Sequence, residues 1–469
     1  MARRLLLAIP LAFPIAFATA FGQTVDPGKA VAPIKADYAL TNVRIVIAPG
    51  KVIEKGTVLT HDGRISAVGA TVAIPAGTVK MDLTGHTVYA GLIDAATSIG
   101  LPSPTRALPA VADASAAAAG GRGGRGGAGA GVAGGRGQPL GGAAAPPPPV
   151  VLPEIDAGAE AAAMFAPTDD QLKAFRAGGV TTVGLVFDGG IFPGRVGAAL
   201  TGAQAGGSLS LRAAAGQEVA FGSKRGGVYP ATGIGVVAYI RQAFLDAQFE
   251  ARLDKAFKAG VPAARPSNDP MRRAMMSAAM NEMSSWFLAS TERQIARVGE
   301  IAKELGLKSP VVVGSQEGWR SAAVLKASGA TAVVSLQWPS PDSITGREFL
   351  AVGSGKSGKA PSATAADSNE VRANAAALTK AGVPVALASY GGESGTTFRD
   401  RIRLTIAAGM SPDDALRAAT VTPASVLGIT AAVGTIEVGK LANFVVVSGN
   451  DLFAATNPIK HVFIEGRLY

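Results

Sequence analysis

Hydrophobic and polar positions divide the chain into two kinds of region. Between residues 38 and 90, short apolar runs are separated by turn residues such as Asp62-Gly63, which predicts a small sheet or sandwich. From about residue 157 onward, buried apolar runs alternate with segments of helical period, and residues 434–469 return to the β pattern. The pattern therefore predicts a central α/β region between two β-rich ends.

The central region predicts a parallel sheet covered by helices on both faces. Its strands are continuous apolar runs, as strands buried on both sides require. An amphipathic helix is predicted over residues 291–305, where Thr291 and Gln294 form a capping box and Gly306 is the stop signal. Periodicity alone fits both a closed barrel and an open sheet. The predicted strands include residues 179–187, 310–314, 332–336 and 383–388.

Residues 1–22 predict a secretion signal. Arg3 and Arg4 precede an apolar stretch, Leu5–Phe17, which is too short for a stable transmembrane span. Residues 23–36 then predict a flexible lead-in. We therefore expect a periplasmic or secreted protein that has no membrane span after signal cleavage.

Residues 103–149 differ in composition from the rest of the chain. They consist almost entirely of Ala, Gly, Pro and Arg and end in four consecutive prolines. Such a segment buries too little apolar surface to offset the conformational entropy lost on ordering. We therefore predict a disordered insertion within the central region.

Composition and charge exclude several classes of function. The chain has no cysteine, which rules out disulfides, thiolate zinc sites and a cysteine nucleophile. The formal net charge is +10, but no dense Lys/Arg stripe with interleaved aromatics accompanies it, so we expect no nucleic-acid partner. The three histidines, His61, His86 and His461, all lie in the β-patterned ends. A serine nucleophile in the central region would therefore have no histidine to activate it.

Two motifs at the ends of the central region carry a family resemblance. The first is Gly91-Leu92-Ile93-Asp94, and the second runs from Gly434 through Gly439-Lys440 to Val446. In this order they resemble the amidohydrolase superfamily, most closely its exported imidazolonepropionase-like branch. The resemblance implies an α/β fold, a (β/α)8 TIM-type barrel with a small β-sandwich domain formed by both chain ends. The implied boundaries are 37–90 and 421–469 for the β domain and 91–420 for the barrel.

The departures from the family pattern fall on its metal ligands. The family continues its first motif with His-x-His, and this chain has Ala96 and Ser98 at those two positions. By the same resemblance, Leu288 stands where a further histidine is expected, and Tyr390 stands where an aspartate is expected. Alanine has no donor atom and a neutral hydroxyl is a poor ligand. We therefore predict no cofactor, although the family uses zinc or another divalent metal.

Polar residues at the predicted strand ends form a candidate pocket. In barrels of this type, function gathers at the carboxyl ends of the strands. The same residues also fit a second interpretation, in which they cap loops and helix N-termini. The candidate pocket residues are Asp94, Asp188, Gln316, Glu317 and Gln337.

Three hypotheses of function follow from the sequence. The first is an exported amidohydrolase-like protein, catalytically inactive, that acts as a scaffold or as the partner of an active paralogue. Its assembly would be a homo-oligomer or a hetero-oligomer with that catalytically complete paralogue. The second is a hydrolase of non-peptide C–N bonds in amides or cyclic amides, with an atypical metal site. The third is a protein that binds a small solute.

Overall fold

The structure is a computed structural model that describes residues 36–102, 155–187, 189–202, 209–222, 230, 232–261, 264–338, 365–390 and 395–469. The predicted signal sequence, the predicted lead-in up to residue 35, the insertion predicted at 103–149 and Asp188 lie outside these ranges. All further structural statements concern the described residues.

The strands and helices follow the predicted order of β, α/β and β regions. The strands of the described ranges are β1 (Tyr38–Ala48), β2 (Lys51–His61), β3 (Arg64–Gly69), β4 (Val79–Asp82), β5 (His86–Ala90), β6 (Leu92–Thr97), β7 (Val180–Leu185), β8 (Arg195–Leu200), β9 (Ser210–Ala220), β10 (Ser284–Ala289), β11 (Val311–Gly314), β12 (Thr331–Ser335), β13 (Val385–Ala388), β14 (Phe444–Ser448), β15 (Ile459–Ile464) and β16 (Arg467–Leu468). The helices there are α1 (Ala161–Met164), α2 (Asp169–Ala177), α3 (Gly233–Lys258), α4 (Pro270–Ala279), α5 (Glu292–Leu305), α6 (Ala322–Ala327), α7 (Ala365–Lys380), α8 (Gly395–Ala407), α9 (Pro412–Ala418) and α10 (Val421–Val426). No helix in these ranges combines the length and the apolar character needed to cross a membrane.

The two chain ends build one sheet, in the order β16-β15-β14-β5-β1-β2-β3, with β4 paired to β1. The predicted hairpin turn joins β2 and β3, where Asp62 and Gly63 both have positive φ. Tyr38 of β1 and Phe463 of β15 are three strands apart in the sheet, yet their ring centroids are 5.3 Å apart. Because neighbouring strands are spaced by about 4.8 Å, the sheet must fold over itself to bring these rings together. It thereby encloses a core as a sandwich does.

The central strands form a nearly closed barrel in the order β13-β12-β11-β10-β9-β8-β7-β6. Hydrogen bonds from the segment after β13 to β6 close the ring, among them Tyr390 N to Ala96 O at 3.0 Å. The predicted TIM-type α/β class is thus confirmed. One strand differs from an all-parallel barrel, because β8 is antiparallel to both β7 and β9. The links at 186–194 and 201–209 are shorter than the roughly twelve residues that a parallel crossover needs.

Helix α5 shows how local sequence signals position the elements around the barrel. Thr291 Oγ1 accepts a hydrogen bond from Gln294 N, and Gln294 Oε1 accepts one from Thr291 N, so the predicted capping box is confirmed. Gly306 ends the helix with φ 67°, in the left-handed region that glycine enters without steric cost. Ile295 and Ile301 of its apolar face are fully buried, each contributing about 1.5–3 kcal/mol of transfer free energy.

The segment after residue 420 contacts the barrel before it reaches the β sheet. Residues 421–433, which include α10, pack into the barrel interior near the amino end of β6. There Ile93 N donates to Ala419 O at 2.8 Å, and the chain rejoins the β domain only where Ile436 N donates to Ile47 O at 2.9 Å. An apolar run of this kind fits a sheet or a barrel core equally well by pattern. The side chains of this segment in the interior cluster are Ala424, Leu427, Ile429 and Val433.

Candidate functional site

The carboxyl ends of the parallel barrel strands open at one edge, which we call the mouth. Several polar residues stand just beyond these strand ends, and each is half-buried. In TIM-type barrels the loops at this edge hold the functional groups, whereas the opposite edge serves stability. The mouth is therefore the candidate location of the functional groups of this barrel. The residues that define it are Ser98, Ser290, Gln316, Gln337 and Tyr390.

One side of the mouth is a hydrogen-bonded junction between β6 and β13, which we call the seam. It consists of Asp94, Ala96, Ser389 and Tyr390. Asp94 is fully buried; its Oδ1 accepts from Ser389 N at 2.8 Å and from Ala96 N at 3.3 Å. Its Oδ2 accepts from Ser389 Oγ at 2.5 Å. Both carboxyl oxygens of Asp94 are thus engaged in closing the barrel.

The environment of Asp94 changes its protonation. Burial raises the pKa of Asp94 to about 7, while the hydrogen bonds donated by Ser389 and Ala96 act in the opposite direction. A carboxyl group with that pKa is part protonated near neutral pH.

Three of the four positions expected to have lost metal ligands contact the same interior apolar cluster of the barrel. Ala96, Leu288 and Tyr390 all contact the interior apolar cluster, and Leu288 is in register with Val313 of β11. Ser98 stands half-buried just past the end of β6. Ala96, Leu288 and Tyr390 thus present a methyl, an isobutyl and a phenol to this cluster.

The donor set decides whether the family's metal fits these residues. Zinc in a catalytic site takes three protein ligands, from histidine, cysteine or carboxylate side chains. Within the described ranges, no three such side chains lie close enough together to hold a metal ion. Asp94, the one carboxylate of the seam, is engaged with Ser389. The described residues therefore do not supply the donor set that such a metal centre requires.

The remaining candidate pocket residues differ in the contacts that they make. Gln316 Nε2 donates to Gln337 O at 2.7 Å, which ties together the segments that follow β11 and β12 at the mouth. Glu317 accepts from Glu292 N at 2.7 Å and so caps the first turn of α5. For Glu317 the structure therefore matches the capping interpretation. Asp188 falls outside the described residues.

A buried glutamate inside the barrel was missed by the sequence analysis. Glu218 of β9 is fully buried and in register with Trp286 of β10, whose side chain belongs to the interior cluster. Its Oε2 accepts from Phe187 N at 2.9 Å, just beyond the end of β7. A signal was present, because Gln217 and Glu218 interrupt the otherwise apolar end of this strand.

The other side of the mouth carries exposed positive charge next to an aromatic ring. Trp338 follows β12, and the guanidinium carbons of Arg372 and Arg401 lie 5.4 and 5.6 Å from its ring centroid. We call these three residues the basic rim. Arg401 also donates to Leu336 O. The tryptophan stood next to a predicted strand end, but nothing local connected it to arginines on α7 and α8.

Comparison with known proteins matches part of the chain to a sequence family and nearly the whole chain to solved structures. Residues 325–469 match the model of the Amidohydrolase family. That segment contains β12, β13, the basic rim and the C-terminal part of the β domain. No curated protein sequence matches the chain.

Solved structures share the fold along nearly the whole chain. An amidohydrolase from Thermotoga maritima has a TM-score of 0.68 at 20% identity, covering 92% of this chain and 99% of its own. A prolidase complexed with N-methylphosphonate-L-proline has a TM-score of 0.50 at 17% identity, covering 92% and 99%. A Xaa-Pro dipeptidase with bound methionine has a TM-score of 0.50 at 14% identity, covering 92% and 100%. At such identities the likeness establishes the architecture and not the chemistry.

Proposed function

We propose that the whole chain is an exported member of the amidohydrolase superfamily that has lost metal-dependent hydrolysis. In this proposal it acts as a scaffold or as the partner of a catalytically complete relative. The observation that carries the proposal is the seam, where Asp94 gives both carboxyl oxygens to the closure of the barrel. The family match of residues 325–469 supports the assignment of the chain.

The physical argument rests on what a hydrolytic metal has to do. A metal activates water by lowering the pKa of the bound water, and this needs several ligands in fixed positions. Ala96 offers a methyl group and Leu288 an isobutyl group at the positions where the family resemblance expects imidazoles. The barrel itself keeps a fully buried apolar core, so the frame is retained while the ligands are replaced.

Hydrolysis assays test the loss of activity. We would offer the mature protein acyl amides, cyclic amides and Xaa-Pro dipeptides with added zinc, manganese or iron, and compare it with Asp94→Asn. The proposal predicts no metal-dependent turnover in either protein. Metal-dependent turnover that disappears in Asp94→Asn would overturn it and favour a C–N bond hydrolase with an atypical site.

Native purification and cell fractionation test the partner role and the export. We expect the processed chain in the periplasm or the medium, co-purifying with an intact amidohydrolase or as an oligomer of itself. A monomer without any partner under native conditions counts against the partner role. Full-length chain that keeps its first 22 residues inside the cell contradicts export.

A further inference from the structure

The basic rim combines two features that ligand sites for organic anions share. Guanidinium groups from two different helices, α7 and α8, approach the same indole ring of Trp338. Trp338 is half-buried and packs in part against the main apolar core, and Arg372 beside it is exposed. The rim therefore offers a flat apolar face and positive charge within about one side-chain length of each other.

The position of the rim within the barrel agrees with this chemistry. Trp338 follows β12, the seventh strand of the barrel sheet counted from β6. In TIM-type barrels, the loops after the seventh and eighth strands often bind the anionic group of a ligand. The hydrogen bond from Gln316 to Gln337 O joins the segments after β11 and β12, and it holds the backbone next to Trp338 in place.

Arg401 is already held in place by the protein. It donates to Leu336 O directly after β12, and its guanidinium lies beside the Trp338 ring. A guanidinium is planar, keeps its charge, and pairs with a carboxylate or phosphate through two parallel hydrogen bonds. A cation that is oriented beforehand loses less entropy when it binds a ligand.

We propose that the basic rim binds a small molecule in which a carboxylate or phosphate is joined to a planar or cyclic apolar body. Arg401 and Arg372 contact the anion, and Trp338 contacts the apolar body. This inference goes beyond the function proposed above and does not depend on it, because the rim uses none of the seam residues.

A pair of matched probes tests the rim on the full mature chain. Benzoate carries the charge and the ring, benzamide carries the ring alone, and inorganic phosphate carries the charge alone. We expect benzoate to bind saturably in calorimetry and to change the tryptophan emission, and benzamide to do neither. The emission change should vanish in Trp338→Phe. If phosphate competes with benzoate, any oxyanion is sufficient for binding at the rim. If benzoate binds and phosphate does not compete, binding requires the carboxylate together with its ring. Both results support the proposal.

Three arginine variants separate the rim from general surface charge. Arg372→Gln and Arg401→Gln should each raise the Kd for benzoate about tenfold, the expected effect of losing one charge-assisted hydrogen bond. Arg320→Gln is the control, because Arg320 also lies beside a tryptophan, Trp319, but pairs with Glu370 at 3.6 Å. It should leave the Kd unchanged.

The proposal is overturned by any of three results. These are equal binding of benzoate and benzamide, no saturable benzoate binding up to millimolar concentration, and equal effects of Arg320→Gln and Arg372→Gln. Because Arg401 also bonds the backbone of Leu336, its variant is read only if its melting curve matches the parent chain. Arg372 is exposed on α7, so its variant decides the matter alone if Arg401→Gln unfolds.

Discussion

The seam and the basic rim lie at the same edge of one barrel, yet they use their polar groups in opposite ways. At the seam, Asp94 is fully buried, and its carboxyl accepts hydrogen bonds from Ser389 and Ala96. At the rim, Arg372 is exposed and its charge faces solvent beside Trp338. The comparison shows that polar groups at one barrel edge differ in whether the protein itself satisfies them. The buried carboxyl of the seam is engaged by neighbouring donors of the protein, whereas the exposed guanidinium of the rim faces solvent.

The largest expected effect comes from breaking the seam. Asp94→Ala leaves the donors Ser389 N, Ser389 Oγ and Ala96 N without acceptors in the barrel wall. Each unmet buried donor costs about 1–3 kcal/mol, so three of them predict a loss of at least about 3 kcal/mol in the free energy of unfolding. Ser98→Ala, half-buried at the same mouth, is the control and should change it by less than about 0.5 kcal/mol. Urea denaturation of the two variants gives the comparison, and equal midpoints would contradict a structural seam.

The protonation of Asp94 predicts a pH dependence that only the seam has. The folded pKa of about 7 exceeds the ordinary aspartate value near 3.8, so the folded state holds the proton in a window where the unfolded state has released it. Stability from this group is complete below pH 4, falls by at most about 1.4 kcal/mol per pH unit up to pH 7, and is lost above it.

Asp94→Asn isolates this contribution because it cannot ionise. The difference in unfolding free energy between the parent chain and Asp94→Asn should therefore shrink or reverse as the pH rises from 4 to 7, and stay constant above 7. Ser98→Ala, which removes no ionisable group, should follow the parent curve. Parallel curves for the parent chain and Asp94→Asn would show that burial does not perturb this carboxyl.

A smaller effect separates Glu317 from both the seam and the rim. Glu317→Ala removes the acceptor for Glu292 N and should cost about 0.5–2 kcal/mol of stability, as lost helix caps do. Benzoate affinity should be unchanged, because the side chain points at α5. Glu300→Ala on the exposed face of the same helix is the matched control. A weaker benzoate affinity in Glu317→Ala, and not in Glu300→Ala, would show that Glu317 takes part in ligand binding.

The features that could be predicted from sequence are those with local causes. Helix α5 followed from a capping box, a 3.6-residue period and a glycine stop. The hairpin at Asp62-Gly63 followed from two residues that tolerate positive φ. The barrel class needed the family resemblance, because periodicity did not separate a barrel from an open sheet.

The features that could not be predicted depend on contacts between distant parts of the chain. Asp94 meets Ser389 across 295 positions, and no local pattern marks such a pair. The arginines of the rim come from α7 and α8, far from Trp338 in the sequence. The reversed direction of β8 was hidden in the lengths of its two links, which only strand boundaries reveal.

Metal binding by the mature protein tests the central claim most directly. We would express the chain with zinc, manganese and iron supplied, purify it without chelators, and measure the molar ratio of each metal to protein by elemental analysis. The proposed loss of metal ligands at Ala96, Ser98, Leu288 and Tyr390 predicts ratios near those of a metal-free reference protein. A ratio near one for any of the three metals, abolished by Asp94→Asn, would contradict the claim that the seam has replaced the metal centre.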